Sequence, residues 1–248
     1  MEAYNDFARV YDMFMDNIPY EDWSKYIISL LNEYGIKDGL VLDLGCGTGK
    51  LTNLLSDAGF DMIGIDYSED MLDVATNVRE DRNILYLCQD MREFELYGTV
   101  RAVVSICDSM NYMTSPEDLL TVLKLVNNYL DPGGIFIFDM NTYYKYSQLL
   151  GEQTIAENRD EASFIWDNYF DAETNINEYE LTLFIKEENE LFRKYEELHY
   201  QRAYHIEEVM NLIDKSGMKL LEVYDAFTRN KPQEDSERIY FVCREAGK

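Results

Sequence analysis

The segment Asp43-Leu44-Gly45-Cys46-Gly47-Thr48-Gly49 carries the clearest chemistry in this 248-residue chain. Glycines just after an apolar run let the backbone turn tightly and let a ligand approach within contact distance. The run Val41-Leu42-Asp43-Leu44 predicts a buried strand and a helix is expected after Gly49, so the glycines lie at a strand-to-helix turn. Asp66 ends the next strand signal, Asp61-Met62-Ile63-Gly64-Ile65-Asp66, where a carboxylate can accept both hydroxyls of a ribose. Dinucleotide sites space their glycines G-x-G-x-x-G and set a pyrophosphate at the helix end. Here the spacing is G-x-G-x-G, and Asp43 stands before the first glycine, where it opposes a phosphate but suits an ammonium. The chemistry required is a nucleoside with free ribose hydroxyls, no phosphate and a cationic tail. S-adenosylmethionine meets it.

The elements that position these residues follow from periodicity. Further strand signals are Ile84–Cys88, Val100–Ile106 and Gly134–Asp139. Ser115-Pro116-Glu117-Asp118 places a capping hydroxyl, a first-turn proline and two acids at a helix start. Leu119, Leu120, Leu123, Val126 and Leu130 continue that helix up to Asp131-Pro132-Gly133-Gly134. Strands alternating with helices predict an α/β fold: a Rossmann-like, mainly parallel, seven-stranded sheet with helices on both faces. Residues 162–204 read differently. Tyr179, Leu181, Leu183 and Ile185 alternate with polar neighbours, and Asp171–Asn175 and Glu188-Asn189-Glu190 look like hairpin turns. A three-stranded antiparallel insert is expected. The chain thus divides into a cofactor-binding domain of residues 1–150 and 205–248 and an inserted lid or substrate subdomain of residues 151–204. A helix from Ile206 stopped by Gly217, then strands near 218–224 and 238–243, complete the main sheet.

Over residues 40–140, and more loosely after 205, the chain resembles the class I S-adenosylmethionine-dependent methyltransferases. The resemblance implies that Asp66 holds the ribose, that Asp90 meets the adenine amino group, and that Tyr67 and Met91 sandwich the adenine. Gly45, Cys46, Gly47 and Met71 join the cofactor site on the same ground. Cys107-Asp108-Ser109, after the fourth strand, is expected to face the methionine tail and the substrate. Tyr4-x-x-Phe7-Ala8-x-x-Tyr11-Asp12-x-x-Met15 is similar to the opening helix of small bacterial members, among them amino-sugar N-methyltransferases. Those proteins also carry a small antiparallel sheet after strand five. In them a tyrosine at the place of Tyr11 approaches the methionine end of the cofactor.

A sulfonium methyl is already activated, so such an enzyme mainly aligns the nucleophile and excludes water. A base is needed only where the acceptor holds its proton near neutral pH. The candidates are His199, Asp108 and Tyr11. His199 and Arg202 alternate in a strand pattern, so at most one of them enters a pocket. His205 precedes a helix and reads as its cap, and Trp166 reads as pocket wall or core. Cys107 lacks the pattern of a cytosine-C5 nucleophile and reads as a small buried strand residue. Asp108, Asp139 and Asn141 lie roughly where catechol-type enzymes hold magnesium, but Met140 breaks the adjacent Asp-Asn pair, so no metal is expected.

Composition narrows the acceptor. Forty-eight acids against 22 bases leave a net charge of −26, which repels polyanions, and the [Asp/Asn]-Pro-Pro-[Tyr/Phe] signature of base methylation is absent. A nucleic-acid acceptor is therefore disfavoured. Four dispersed cysteines read as reduced cytosolic thiols. Met1–Asp6 has neither the charge nor the apolar stretch of a signal peptide, and no apolar run approaches a membrane span, so a cytoplasmic protein is expected. The 20 tyrosines lean toward an amine or neutral small-molecule acceptor, since rings beside carboxylates suit cations. The expected activity is methyl transfer from S-adenosylmethionine to a small-molecule amine or hydroxyl. Two rivals use the same residues: a sensor or scaffold that binds the donor without transfer, and a nucleotide-dependent oxidoreductase.

Overall fold

The computed structural model describes residues 7–78, 83–187 and 190–248. Two helices, α1 (Ala8–Phe14) and α2 (Tyr20–Glu33), precede the first strand, β1 (Leu40–Leu44). There follow α3 (Lys50–Asp57), β2 (Asp61–Asp66), α4 (Glu69–Val78), β3 (Leu85–Cys88) and β4 (Val100–Ser105). A 3-10 turn at Ser109–Tyr112 leads to α5 (Pro116–Tyr129) and β5 (Leu130–Asn141). The second sheet holds β6 (Thr154–Asn158), β7 (Ala162–Asp171), β8 (Ile176–Lys186) and β9 (Phe192–Arg202). α6 (Ile206–Lys215), β10 (Lys219–Asp225) and β11 (Arg238–Arg244) return to the first sheet.

That first sheet has seven strands in the order β10-β11-β5-β4-β1-β2-β3, with β11 antiparallel to both of its neighbours. The chain winds outward from β1 in one direction through β2 and β3, then crosses back to β4 and β5. The reversal lies between β1 and β4, so a crevice opens beyond their carboxyl ends. Period-two alternation decides the core. Leu42, Leu44, Val103, Phe136 and Phe138 pack on one face with α5 and α6, while Val41, Ala102, Val104, Ile135 and Ile137 pack on the other with α2 and α3. Each face supplies its own apolar cluster, which makes the strand ends a rigid platform.

The start of α5 follows its sequence signal, for Ser115 Oγ accepts the amide of Asp118 and Pro116 opens the helix. The turn at 131–134 falls inside β5, whose register against β4 shifts between Val100–Leu130 and Ala102–Ile135. The second sheet is antiparallel, in the order β6-β7-β8-β9, so the expected three strands are four. The added strand, β6, is a short edge carrying only Ile155 and Ala156 as apolar residues, too few to produce a periodic signal. Of the two expected hairpin turns, Asp171–Asn175 joins β7 to β8, with Asp171 accepting from Glu173 and Thr174. The second falls partly on Glu188 and Asn189, and the end of the opening-helix motif at Tyr4, like Met1–Asp6 as a whole, also lies outside the described residues. α1 packs Val10 and Phe14 against Phe164, Leu181 and Leu183 of the second sheet. No helix among the described residues is long and apolar enough to cross a membrane.

Candidate cofactor and methyl-transfer site

Immediately after β1 the chain turns at Gly45, where φ is +81°. A β carbon there would lie 2.7 Å from Ser109 Oγ, which is itself held by its bond to the Ile106 carbonyl. Gly47 is also left-handed, at φ +54°, and has nothing within 4 Å of where its β carbon would stand. The loop's amides are spent internally. Those of Gly45 and Cys46 both donate to the Ile65 carbonyl, at 2.8 and 2.9 Å, and that of Gly49 donates to Cys46. The Gly47 amide donates to Asp66 Oδ2 at 2.8 Å. A diphosphate at the loop would have to compete for these four donors, which favours a ligand that passes without a phosphate.

Three carboxylates face the crevice, each held differently. Asp66 ends β2 and accepts the amides of Gly47 and Ser68, one on each oxygen, at 2.8 and 2.9 Å. Each oxygen keeps a further lone pair, enough for a ribose diol. Burial raises its pKa and the backbone donors oppose that rise. Asp43, on β1, is 2% exposed and takes the Thr52 hydroxyl at 2.6 Å. Burial first, with nearby Asp66 adding to it, pushes its pKa up to about 7 against the pull of Thr52. A buried carboxylate with so little compensation favours a cation beside it. Asp90, past β3, is forked by the Arg92 guanidinium at 3.0 and 3.1 Å, which holds its carboxyl below the usual range.

These groups line one cavity of about 340 Å³. Every expected cofactor residue except Asp108 lies on its wall: Tyr11, Asp43, Gly45, Cys46, Gly47, Asp66, Tyr67, Met71, Asp90 and Met91. Tyr67 is 60% exposed, whereas Met71 is buried. Hence the lining, with a buried acid and a second carboxylate beside the glycine loop, fits S-adenosylmethionine. Sequence reasoning missed Tyr20, Thr48 and Tyr112, which also line the wall. Tyr112 had a signal, since it closes the short turn that begins at Ser109. Tyr20 and Thr48 had none beyond proximity to α1 and to the glycines.

The segment after β4 divides. Cys107 and Ser109 line the cavity, whereas Asp108 between them is not on its wall. Cys107 and Asp108 both adopt left-handed backbone, at φ +62° and +55°. Asp108 takes Arg238 at 2.6 Å and the Gln201 amide at 2.8 Å. Asp139 accepts the amides of Cys107 and Asp108 at 3.2 and 2.7 Å and takes Arg238 at 2.7 Å. Asp108 thus braces the turn, its carboxylate taken up by Arg238 and Gln201. Cys107 is not the buried strand residue expected. It sits half-buried beyond the strand, its thiol pushed up to about 12 by burial and by Asp108.

Tyr11 reaches the same place from α1, its hydroxyl 4.0 Å from Cys107 Sγ. α1 is latched to the glycine loop by Asp12, which accepts the Thr48 hydroxyl at 2.8 Å and pairs with Lys50 at 3.3 Å. Residues of the second sheet do not appear on the cavity wall, and His199 stands behind Tyr112, whose hydroxyl lies 3.0 Å from its Nδ1. Arg202 is held outside by Thr174 and Glu208. His205 occupies the cap position of α6 but makes no side-chain cap bond, because its ring stacks on Tyr143 instead. Trp166 packs against Tyr179 beside the α1 contact. Among the described residues no group of three or more His, Cys, Asp and Glu side chains converges as a metal site requires.

Comparison with known proteins agrees with this geometry. Residues 41–134 match the family model described as "Methyltransferase domain". YqeM of Bacillus subtilis, named as a methyltransferase, is 34% identical over 98% of this chain and 97% of its own length. A crystal structure of an S-adenosylmethionine-dependent methyltransferase from Clostridium acetobutylicum is 30% identical, covers 99% of this chain and 100% of its own, and superposes with a TM-score of 0.87. A dTDP-3-amino-3,4,6-trideoxy-alpha-D-glucopyranose N,N-dimethyltransferase of Streptomyces venezuelae is 31% identical over 54% of this chain and 56% of its own length.

Proposed function

The chain belongs to the class I S-adenosylmethionine-dependent methyltransferases, and from that premise we propose that it methylates a small-molecule amine or hydroxyl held where Tyr11, Tyr20, Cys107 and Tyr112 meet. The observation that carries this reading is the mixed lining of the cavity, where the carboxylates of Asp43, Asp66 and Asp90 share one wall with the phenols of Tyr11, Tyr20 and Tyr112 and the Cys107 thiol. When bound, S-adenosylmethionine supplies a methyl group already activated by its sulfonium. The remaining work belongs to the protein. Asp43 balances the ammonium, and Asp66 holds the ribose hydroxyls against a loop that it also fastens. The rings of Tyr11 and Tyr20 exclude water and offer their faces to positive charge. Cys107 stays a neutral thiol, so it does not compete for the methyl.

The two cations on the wall are engaged, Lys50 with Asp12 and Arg92 with Asp90. That supports an acceptor whose reacting end is not an anion, and the amino-sugar substrate in the Streptomyces enzyme's name supports an amine first. A volume of about 340 Å³ lies at the low end of ligand pockets, which run from roughly 300 to 1,000 Å³. In this reading the acceptor enters beside α1, which sets Tyr11 on the cavity wall. The division into a cofactor domain and an inserted subdomain then has a function: the insert carries the far anchor of that helix. Calorimetry with S-adenosylmethionine and its demethylated product, followed by release of that product over a panel of amines and phenols, tests the reading. Absence of heat with either molecule, or transfer only to carbon acids, overturns it.

A further inference from the structure

Behind the cavity wall lies a row of hydrogen-bonded polar side chains. Tyr112 lines the cavity, and its hydroxyl is 3.0 Å from His199 Nδ1. His199 Nε2 is 3.1 Å from Glu197 Oε2, and the two side chains are 1% and 4% exposed. Glu197 Oε1 accepts the amide of Phe7 at 3.1 Å. Tyr179, on the neighbouring strand, stacks on the imidazole and places its hydroxyl 3.3 Å from that of Tyr112. Among the described residues, the groups facing His199 include Tyr112 from the 3-10 turn, Tyr179 from β8 and Glu197 from its own strand. Elsewhere the inner face of this sheet packs Leu181, Leu183 and Ile185. Burying an acid and an imidazole beside such residues is costly unless each is partnered.

The sequence of donors and acceptors gives the row a direction. An ionised Glu197 only accepts, and with it Nε2 carries the hydrogen toward Glu197 while Nδ1 presents a lone pair to the Tyr112 hydroxyl. We propose that Tyr112 is the proton acceptor of the methyl-transfer reaction, with His199 and Glu197 as the relay that drains it, and that the acceptor class is one arriving with a proton to lose, a protonated amine or a hydroxyl. The proposal rests on the methyltransferase reading above. Its step is a proton transfer alone. The acceptor's proton passes to the Tyr112 oxygen as Tyr112's own proton passes to His199 Nδ1. The acceptor keeps the lone pair, Tyr112 ends neutral as it began, and the charge gained by the imidazole faces Glu197.

The test uses the full chain with S-adenosylmethionine and three acceptors: a thymidine-diphosphate 3-amino sugar, benzylamine and catechol. Tyr112→Phe lowers kcat by about a hundredfold and His199→Gln by about as much, Glu197→Gln by about tenfold, while donor KM stays within about threefold. Donor binding by each variant shows that it is folded. Because the chain has only two histidines, His205→Asn leaves His199 as the single imidazole in a nitrogen NMR spectrum. That spectrum shows the Nε2–H tautomer, and Tyr112→Phe shifts the Nδ1 resonance. A folded Tyr112→Phe protein that retains kcat within about threefold, or a His199 carrying its hydrogen on Nδ1, overturns the proposal. If none of the three acceptors reacts, the acceptor class falls and the spectrum alone decides the relay. Failure to bind the donor would instead overturn the methyltransferase reading.

Discussion

Asp43 and Asp66 line a single crevice, yet the fold compensates their charges to different degrees. Asp66 has two backbone donors, whereas Asp43 has one hydroxyl and almost no water. The folded-state pKa of Asp43 is about 7 against 3.8 for the free side chain, so between those values the folded protein holds a proton that the unfolded chain has lost. Stability of the unliganded protein accordingly falls on this account as pH rises from about 4 to 7. Melts across that range check the slope, and Asp43→Asn flattens it. Donor affinity has the opposite sign. An ammonium prefers the ionised carboxylate, so binding weakens as pH drops below about 7 in calorimetry, and Asp43→Asn removes that dependence too. Asp66→Ala removes two charge-assisted bonds worth about 1.5–3 kcal/mol each. Donor binding then weakens by about a hundredfold or more. The glycine loop is loosened as well, because the Gly47 amide loses its acceptor.

Between elements, α1 is the piece whose position matters most. It contributes Tyr11 to the cavity, is tied to the glycine loop through Asp12, and buries Val10 and Phe14 against the second sheet. Arg159 strengthens that side by forking Asp16 just beyond the helix, at 2.6 and 2.9 Å. With only Ala8–Phe14 in the helix, α1 is too short to be stable alone, so its packing decides whether it forms. Phe14 meets Phe164 edge to face at 4.8 Å. Phe14→Ala costs about 3 kcal/mol locally. Hydrogen exchange at the amides of α1 then rises, with little change in β1 or β4. Donor affinity falls at the same time, because Tyr11 and Asp12 lose their support. If exchange rises across both sheets together, the helix is part of the global fold and not a separately opening unit.

The whole molecule carries a net charge of −26 on 248 residues, an excess left after all 22 bases are set against the 48 acids, so no ion pair offsets it. Self-repulsion at that density destabilises the compact state and is screened by salt. Raising sodium chloride from roughly 20 to roughly 300 mM increases Tm, as read by scanning calorimetry. A flat or falling Tm would show that local ion pairs outweigh net repulsion.

Much of the architecture was legible along the chain, because the signals are local. Strand β2 spans the residues its apolar run predicted, and α5 starts at the Ser115 cap. Glycine spacing, with acids at 43 and 66, pointed to the cofactor because the loop's conformation and the carboxylates' chemistry are properties of a few adjoining residues. β6 escaped notice because an edge strand buries too little to need a pattern. The reaction end escaped more fully. Asp108 reads as a cavity residue from its neighbours and becomes a brace only because Arg238, 130 positions later, and Gln201 reach it. His199 reads as a candidate base and becomes the second member of a row because the antiparallel sheet carries it behind Tyr112. A side chain's type is written in the sequence. What stands opposite it, and so whether it meets solvent, ligand or another charge, depends on contacts between distant residues, which only the folded chain decides.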